Sequence, residues 1–235
     1  MSELTKAQPL YLRQLPLGPM KNFVYLLGSP GGKEAVVIDP AWDVEAIRVQ
    51  LEADDRKLAA IVLTHHHHDH INMTPRLLEQ FDVPVYAQRA EVEHAEALRP
   101  FVGAIKLATP GMDVEVAGIT LKLVHTPGHT PGSQCVLCAG ALISGDTVFV
   151  NACGRCDLPG GNPTQMWNSL SNVLGALPDD TVLWPGHDYG DVKVSSLQRE
   201  REQNPYFRFK TMKDFVAYRM PRLTAAARSG EAPCE

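Results

Sequence analysis

An apolar run at positions 58–63 (LAAIVL) stops at Thr64 and gives way to His65, His66, His67, His68, Asp69 and His70. No other stretch constrains the chain so tightly. A short apolar run bounded by polar residues reads as a buried strand. Five imidazoles and a carboxylate must therefore leave the edge of a sheet together. The pattern returns three times: the strand-like run ending at Val124 is followed by HTPGHTPG (125–132), that ending at Ser144 by Gly145, Asp146 and Thr147, and that ending at Trp184 by PGHDY (185–189). Loops at strand ends are where a rigid sheet presents functional groups. Four such loops, each carrying an imidazole or a carboxylate, predict a metal centre.

Side chains alternate in direction along an extended segment. His65 and His67 can then grip one ion while His66 and His68 face away, and Asp69 and His70 continue the turn toward a second ion. Imidazoles and carboxylates suit Zn²⁺, and also iron or manganese, whereas a thiolate-rich set marks a structural zinc. The cysteines offer a competing metal site, Cys135 with Cys138 and Cys153 with Cys156. Cys135 and Cys138 fall in a predicted strand, where residues three apart point to opposite faces, so they read as core. Cys153 and Cys156 fall in a loop and leave a near-site thiol or a redox pair open. His94 reads as helix surface, His125 as packing beneath the site, and Trp42, Trp167 and Trp184 as core or wall.

Further strands are expected at 23–27, 35–38 and 84–87, a hairpin at 114–124, and strands at 133–138, 141–144 and 180–184. Helices are expected from 44, with Asp43 as N-cap and Val44, Ile47 and Leu51 at helical spacing, and at 74–80, 89–98 and 163–176. The tail from Val192 reads as helical. Strand–helix alternation on both sides of a hairpin-rich centre predicts an α/β fold with two packed sheets and helices outside, a four-layer αββα sandwich. With 235 residues, 44% of them hydrophobic, residues 1–235 suit one domain with a short helical extension at about 192–235.

A net charge of −5 argues against a general nucleic-acid binder, although residues 193–228 hold nine Lys or Arg against three acids. That stretch reads as a solvated face or, alternatively, as an anion-binding wall near the site. No run approaches the ~20 apolar residues of a spanning helix. The first residues lack the pattern of a signal peptide, and five sparse cysteines suit a reducing compartment. A soluble cytoplasmic protein with no membrane partner is the expectation.

The pattern His65-x-His67-x-Asp69-His70, followed in order by TPGHTPGS with His129, SGDTVF with Asp146 and PGHDYG with His187, resembles the metallo-β-lactamase superfamily over about residues 15–205. The resemblance implies two divalent ions, most simply Zn²⁺. The first would be held by His65, His67 and His129 and the second by Asp69, His70 and His187, with Asp146 bridging them. Asp146 stands where many true β-lactamases use a cysteine, which argues against antibiotic hydrolysis. ACGRCDLPGGNP and PGHDYGDVKVSSLQREREQNP resemble the branch that contains glyoxalase II and the persulfide dioxygenases.

That branch implies hydrolysis of a thioester or ester, one linked to glutathione or another small anionic thiol, by hydroxide generated at the metals. In this reading Asp69 orients the nucleophile, Tyr189 donates a hydrogen bond and Arg155 binds a substrate carboxylate. The alternative from the same branch is persulfide oxidation at a single Fe²⁺ held by His65, His129 and Asp146. The usual Gly-Arg-Thr-Asp of that group is Gly154, Arg155, Cys156 and Asp157 here. A non-catalytic metal-binding protein is the remaining alternative. Monomer and homodimer are both left open.

Overall fold

The computed structural model describes residues 9–220. In chain order the strands of the first sheet are β1 (Tyr11–Leu17), β2 (Asn22–Gly28), β3 (Glu34–Ile38), β4 (Lys57–Val62), β5 (Val85–Gln88) and β6 (Ile105–Ala108). They lie side by side in that order, antiparallel from β1 to β3 and parallel from β3 to β6. Next come β7 (Met112–Val116), β8 (Ile119–His125), β9 (Gln134–Cys138) and β10 (Ala141–Ile143), then the short ribbon of β11 (Val148–Phe149) and β12 (Ala152–Cys153). With β13 (Val182–Trp184) and β14 (Ser195–Ser196), the second sheet has the order β14-β13-β10-β9-β8-β7.

Alternation along the strands builds four layers. From β2, Val24 and Leu26 face a core shared with Ile47 and Leu51 of α1 (Val44–Ala53) and Leu77 of α3 (Thr74–Leu78); α2 (His68–Ile71) lies between those helices in sequence. Phe23, Tyr25 and Leu27 face the other way, onto Leu121, Leu123, Val136 and Ile143 of the second sheet. Both faces of β2 are thus covered, which is why its sequence is a continuous apolar run. Beyond the second sheet, Cys135, Leu142 and Leu183 pack on Met166, Leu170, Leu197 and Phe215. The helices of this outer layer include α5 (Pro163–Asn168), α6 (Leu197–Gln203) and α7 (Met212–Arg219), and α4 (Arg89–His94) follows β5 on the first sheet. The αββα sandwich is the architecture of the chain. Each wholly buried Leu, Val or Ile in it is worth about 1.5–3 kcal/mol in apolar transfer.

Asp43 caps α1 as expected, its side chain accepting from the Ala46 N–H. Other expectations shift at their edges. The helix expected over 89–98 ends at His94 and continues as a 3₁₀ stretch from Glu96 to Ala104, kinked at Phe101 just after Pro100. The helix over 163–176 persists, but widens over Ser169–Val173 and tightens over Leu174–Ala176. The tail is not wholly helical: β14 precedes α6 and α7. Residues 221–235 of the expected extension lie outside the described residues. No helix among the described residues is long and apolar enough to cross a membrane.

Strands β3, β4 and β5 run parallel, as do β10 and β13, so their carboxyl ends open onto one edge of the sandwich. The two sheets are tied there: the Gln134 backbone N–H donates to the Thr64 carbonyl, and the Gln134 side chain bonds both Gln88 and the Leu63 carbonyl. Crevices beyond carboxyl strand ends are where α/β sheets bind ligands.

Candidate metal centre

Every ligand position expected from the sequence reaches that edge. His65 and His67 leave β4, Asp69 and His70 sit in the single turn of α2, His129 follows β8, Asp146 follows β10, and His187 follows β13. They gather into two clusters. In the first, His67 Nδ1 lies 3.0 Å from His65 Nε2 and 2.9 Å from His129 Nε2. In the second, His70 Nε2 and His187 Nε2 are 3.1 Å apart, and Asp69 Oδ2 stands 3.5 Å from the former and 3.4 Å from the latter.

Asp146 lies between them with one oxygen for each. Its Oδ1 is 3.3 Å from His70 Nε2 and 3.4 Å from His187 Nε2, while Oδ2 is 3.4 Å from His129 Nε2. That Oδ1 is buried without a hydrogen-bond partner. A buried carboxylate oxygen left so is costly unless something positive meets it.

The outer nitrogens of the rings decide what the inner ones can do. His70 Nδ1–H donates to Asp39 Oδ2 at 2.9 Å, His129 Nδ1–H to the Arg155 carbonyl at 2.8 Å, and His187 Nδ1–H to the Met20 carbonyl at 2.8 Å. Thr64 Oγ1 gives its hydrogen to Asp39 Oδ2 at 2.5 Å, so its lone pair receives His65 Nδ1–H at 3.1 Å. With those protons outside, the four Nε2 lone pairs all point inward. Such outer partners set the tautomer and aim of metal-binding imidazoles. Burial pushes His65 well below the usual imidazole range and His67 down to about 4, with neighbouring imidazoles adding to it, so both stay neutral as ligands must. Burial alone would raise the Asp146 carboxyl, but the imidazoles around it, His70 first, hold it well below the carboxylate range. Convergent lone pairs, an orphaned carboxylate oxygen and an all-nitrogen-and-oxygen donor set fit divalent metal ions.

His66 and His68 point elsewhere, His66 by the alternation of the extended segment and His68 because it already begins α2. The His66 ring meets Glu91, and His68 is exposed against the edge of Trp42. Tyr189 stacks on His187 with centroids 4.6 Å apart and stays half-exposed at the mouth. Arg155 lends the centre its backbone carbonyl, while its guanidinium pairs with Asp157 through bonds of 3.0 and 2.9 Å. Gly154 is forced by this crowding, since a Cβ there would lie 1.9 Å from the Asp146 carbonyl oxygen.

Cys135 and Cys138 fall in different cores, on opposite faces of β9. Cys153 and Cys156 are both buried in the outer core, and burial pushes the Cys156 thiol up to about 11 and Cys153 higher still. Neither is placed to act as a thiolate. Of the basic stretch, Arg199 pairs with Asp191, Arg201 with Asp179, and Arg219 donates twice to the Gly154 carbonyl. These three cations bind the fold itself.

Three residues escaped the sequence reading. Asp39 carries the His70 and Thr64 bonds. Asn22 donates to the Asp69 carbonyl and Oδ2 at 2.8 and 3.0 Å while accepting the Trp42 indole N–H. Glu91 holds His66. Asp39 alone had a usable signal, an acid directly after an apolar run.

Comparison with known proteins agrees with the geometry. The profile of the Metallo-beta-lactamase superfamily matches residues 17–187. The "Probable polyketide biosynthesis zinc-dependent hydrolase BaeB" of Bacillus velezensis is 29% identical over 198 residues, 84% of this chain and 87% of the relative. The "Hydroxyacylglutathione hydrolase" of Alkalilimnicola ehrlichii is 35% identical over 184 residues, 78% of this chain and 68% of the relative. Among solved structures, ETHE1 from Myxococcus xanthus superposes with a TM-score of 0.79 at 28% identity, covering 94% of this chain and all of the other.

Proposed function

The chain belongs to the metallo-β-lactamase superfamily, and from that premise we propose that it is a two-metal hydrolase cleaving a thioester or ester of a small anionic thiol, such as a glutathione conjugate. The observation that carries this reading is Asp146, whose carboxylate turns one oxygen to each cluster. A second set of donors at Asp69, His70 and His187 beside the first offers a second ion a place on the other oxygen of Asp146. The names of the hydrolase relatives add support.

His65, His67, His129, Asp69, His70, His187 and Asp146 would hold divalent ions, most simply Zn²⁺, which would supply Lewis acidity and lower the pKa of water toward ~7. The chain's own residues do the rest. Asp69, braced by Asn22, accepts a hydrogen from the attacking water and so aims it. Asp146 holds the clusters in register. With a thioester the departing thiolate needs no proton, so that cleavage requires no separate general acid, whereas an ester's alkoxide would take up a proton from water as it leaves. Tyr189, held flat on His187, offers its hydroxyl to the substrate at the mouth. Arg155 would exchange Asp157 for a substrate carboxylate, an exchange open to it because the pair is exposed and screened by water.

One specific observation favours a second reading, iron-dependent persulfide oxidation: the near-complete coverage by ETHE1. The test sets zinc-loaded protein with a glutathione thioester, under argon, beside iron-loaded protein with glutathione persulfide in an oxygen electrode. Hydrolysis predicts oxygen-independent thioester cleavage by the zinc form. Oxygen uptake by the iron form alone, with negligible cleavage by either, replaces it with the second reading.

A further inference from the structure

We propose that Glu91 is the positioning residue of the first cluster, a buried carboxylate that fastens the loop carrying His65 and His67 to the loop carrying His129. Glu91 lies in the first turn of α4 and is 1% exposed. Its Oε1 accepts from the His66 backbone N–H at 2.6 Å and from His66 Nδ1 at 2.5 Å. The Thr130 hydroxyl donates to Oε1 at 2.9 Å and to Oε2 at 2.8 Å, and the Gly132 N–H donates to Oε2 at 2.8 Å.

The donors are telling in sequence. His66 stands between His65 and His67, and Thr130 directly follows His129. One carboxylate therefore holds the chain neighbours of His67 and of the two imidazoles, His65 and His129, that meet its Nδ1. Only an ionised carboxylate has the acceptor capacity for this many donors at once. Charge-assisted bonds of this kind are shorter and about twice as strong as neutral ones.

The approach is built into the chain on both sides. A Cβ on Gly132 would lie 2.3 Å from the Glu91 nitrogen, so the 130–132 turn closes directly on the start of α4. Three residues earlier Gln88 bonds Gln134 across the two sheets. The β5–α4 junction is thus the point where the sheets are locked to each other beside the first cluster. Glu91 has no hydrogen bond to Asp69, His70 or His187.

This role predicts a selective defect. Glu91→Gln keeps the shape but presents an NH₂ group to a buried N–H or hydroxyl donor, so the two loops lose their common anchor. Loss of a group bonded directly to a ligand typically weakens metal binding about 10–100-fold; Glu91 bonds the residues next to the ligands, so its loss falls at or below the lower end of that range. Zinc-loaded full-length protein is titrated with a chelator while zinc released per chain and the thermal midpoint are recorded. Glu200→Gln is the comparator: that carboxylate is also wholly buried and accepts from the Asn151 N–H, Ser195 Oγ and Asn204 Nδ2, away from both clusters.

The expected result is that both variants lose stability while only Glu91→Gln surrenders one of two zinc equivalents more readily than wild type, by up to about 10-fold. Wild-type retention of both equivalents by Glu91→Gln overturns the proposal, as does metal loss in both variants in step with their thermal midpoints. Thr130→Val removes a single donor and serves if Glu91→Gln does not fold. A smaller loss with the same selectivity supports the role, and unchanged retention overturns it. The inference rests on the two-cluster reading but not on the substrate. A wild-type chain that never holds two equivalents refutes that reading before any variant is compared.

Discussion

Replacing Asp39 by Asn should weaken metal binding at the second cluster or destabilise the fold beneath it, without touching a ligand. Asp39 is buried and follows β3 with φ at 52°, a left-handed conformation that Asn adopts about as readily as Asp, so the backbone is not strained. Its Oδ1 accepts the Thr64 N–H at 2.7 Å, and its Oδ2 accepts the Thr64 hydroxyl and His70 Nδ1–H. An amide supplies one oxygen for these two places. If the oxygen stays with Thr64 N–H, the NH₂ group faces His70, which must move its proton to Nε2, the atom aimed at Asp69, His187 and Asp146. If the amide flips, the Thr64 N–H is left unpaired. Either outcome strands a buried donor or blocks a ligand lone pair. The first costs about 1–3 kcal/mol, and the second about 10–100-fold in metal affinity. For a chain of this size the stability loss corresponds to a fall of roughly 2–12 °C in the melting temperature of the metal-free protein. Chelator titration of the zinc form and thermal unfolding of the metal-free form separate the two effects. Wild-type behaviour in both would refute the claim that Asp39 fixes the His70 tautomer.

His65→Ala or His67→Ala should remove metal and activity, whereas His66→Ala should keep both, with no more than the small loss of metal retention expected of Thr130→Val, because its backbone N–H still reaches Glu91. Equal losses at all three would mean that the tract binds without regard to direction. Cys135→Ala and Cys138→Ala should leave zinc content unchanged by metal analysis and cost about 1 kcal/mol in denaturant unfolding; zinc loss in proportion to the cysteine removed would expose a thiolate site. The Arg13 guanidinium, 2.8 and 2.9 Å from Asp54, holds that carboxyl well below the carboxylate range. Its stabilisation is complete above the unfolded value of ~3.9 and is lost as pH falls through the lower folded value. In metal-free protein, the gap in urea midpoint between wild type and Asp54→Asn should therefore narrow between neutral pH and pH ~3; a constant gap would exclude the linkage.

The ligands were legible because each follows a strand whose apolar run announces it, and because alternation separates His65 and His67 from His66. The layering was legible for the same reason: β2 and β9 split their residues between two cores with period two. What stayed hidden depends on contacts across long sequence separations. Glu91, within RAEVEH, looks like a solvent-facing charge on a helix, and its partners Thr130 and Gly132 are about forty residues away. Asn22 opens an apolar strand and betrays nothing of Asp69. Strand β1 was missed because YLRQLPL carries polar residues and Pro16, features that an edge strand tolerates.

Anomalous diffraction from crystals of the chain grown with its own metal tests the two-ion centre most directly. Two peaks roughly 3.5–4 Å apart are expected, one within reach of His65, His67 and His129 and the other of Asp69, His70 and His187, with Asp146 between them. A single fully occupied peak at His65, His129 and Asp146, with Asp69 and His70 turned away, would contradict it.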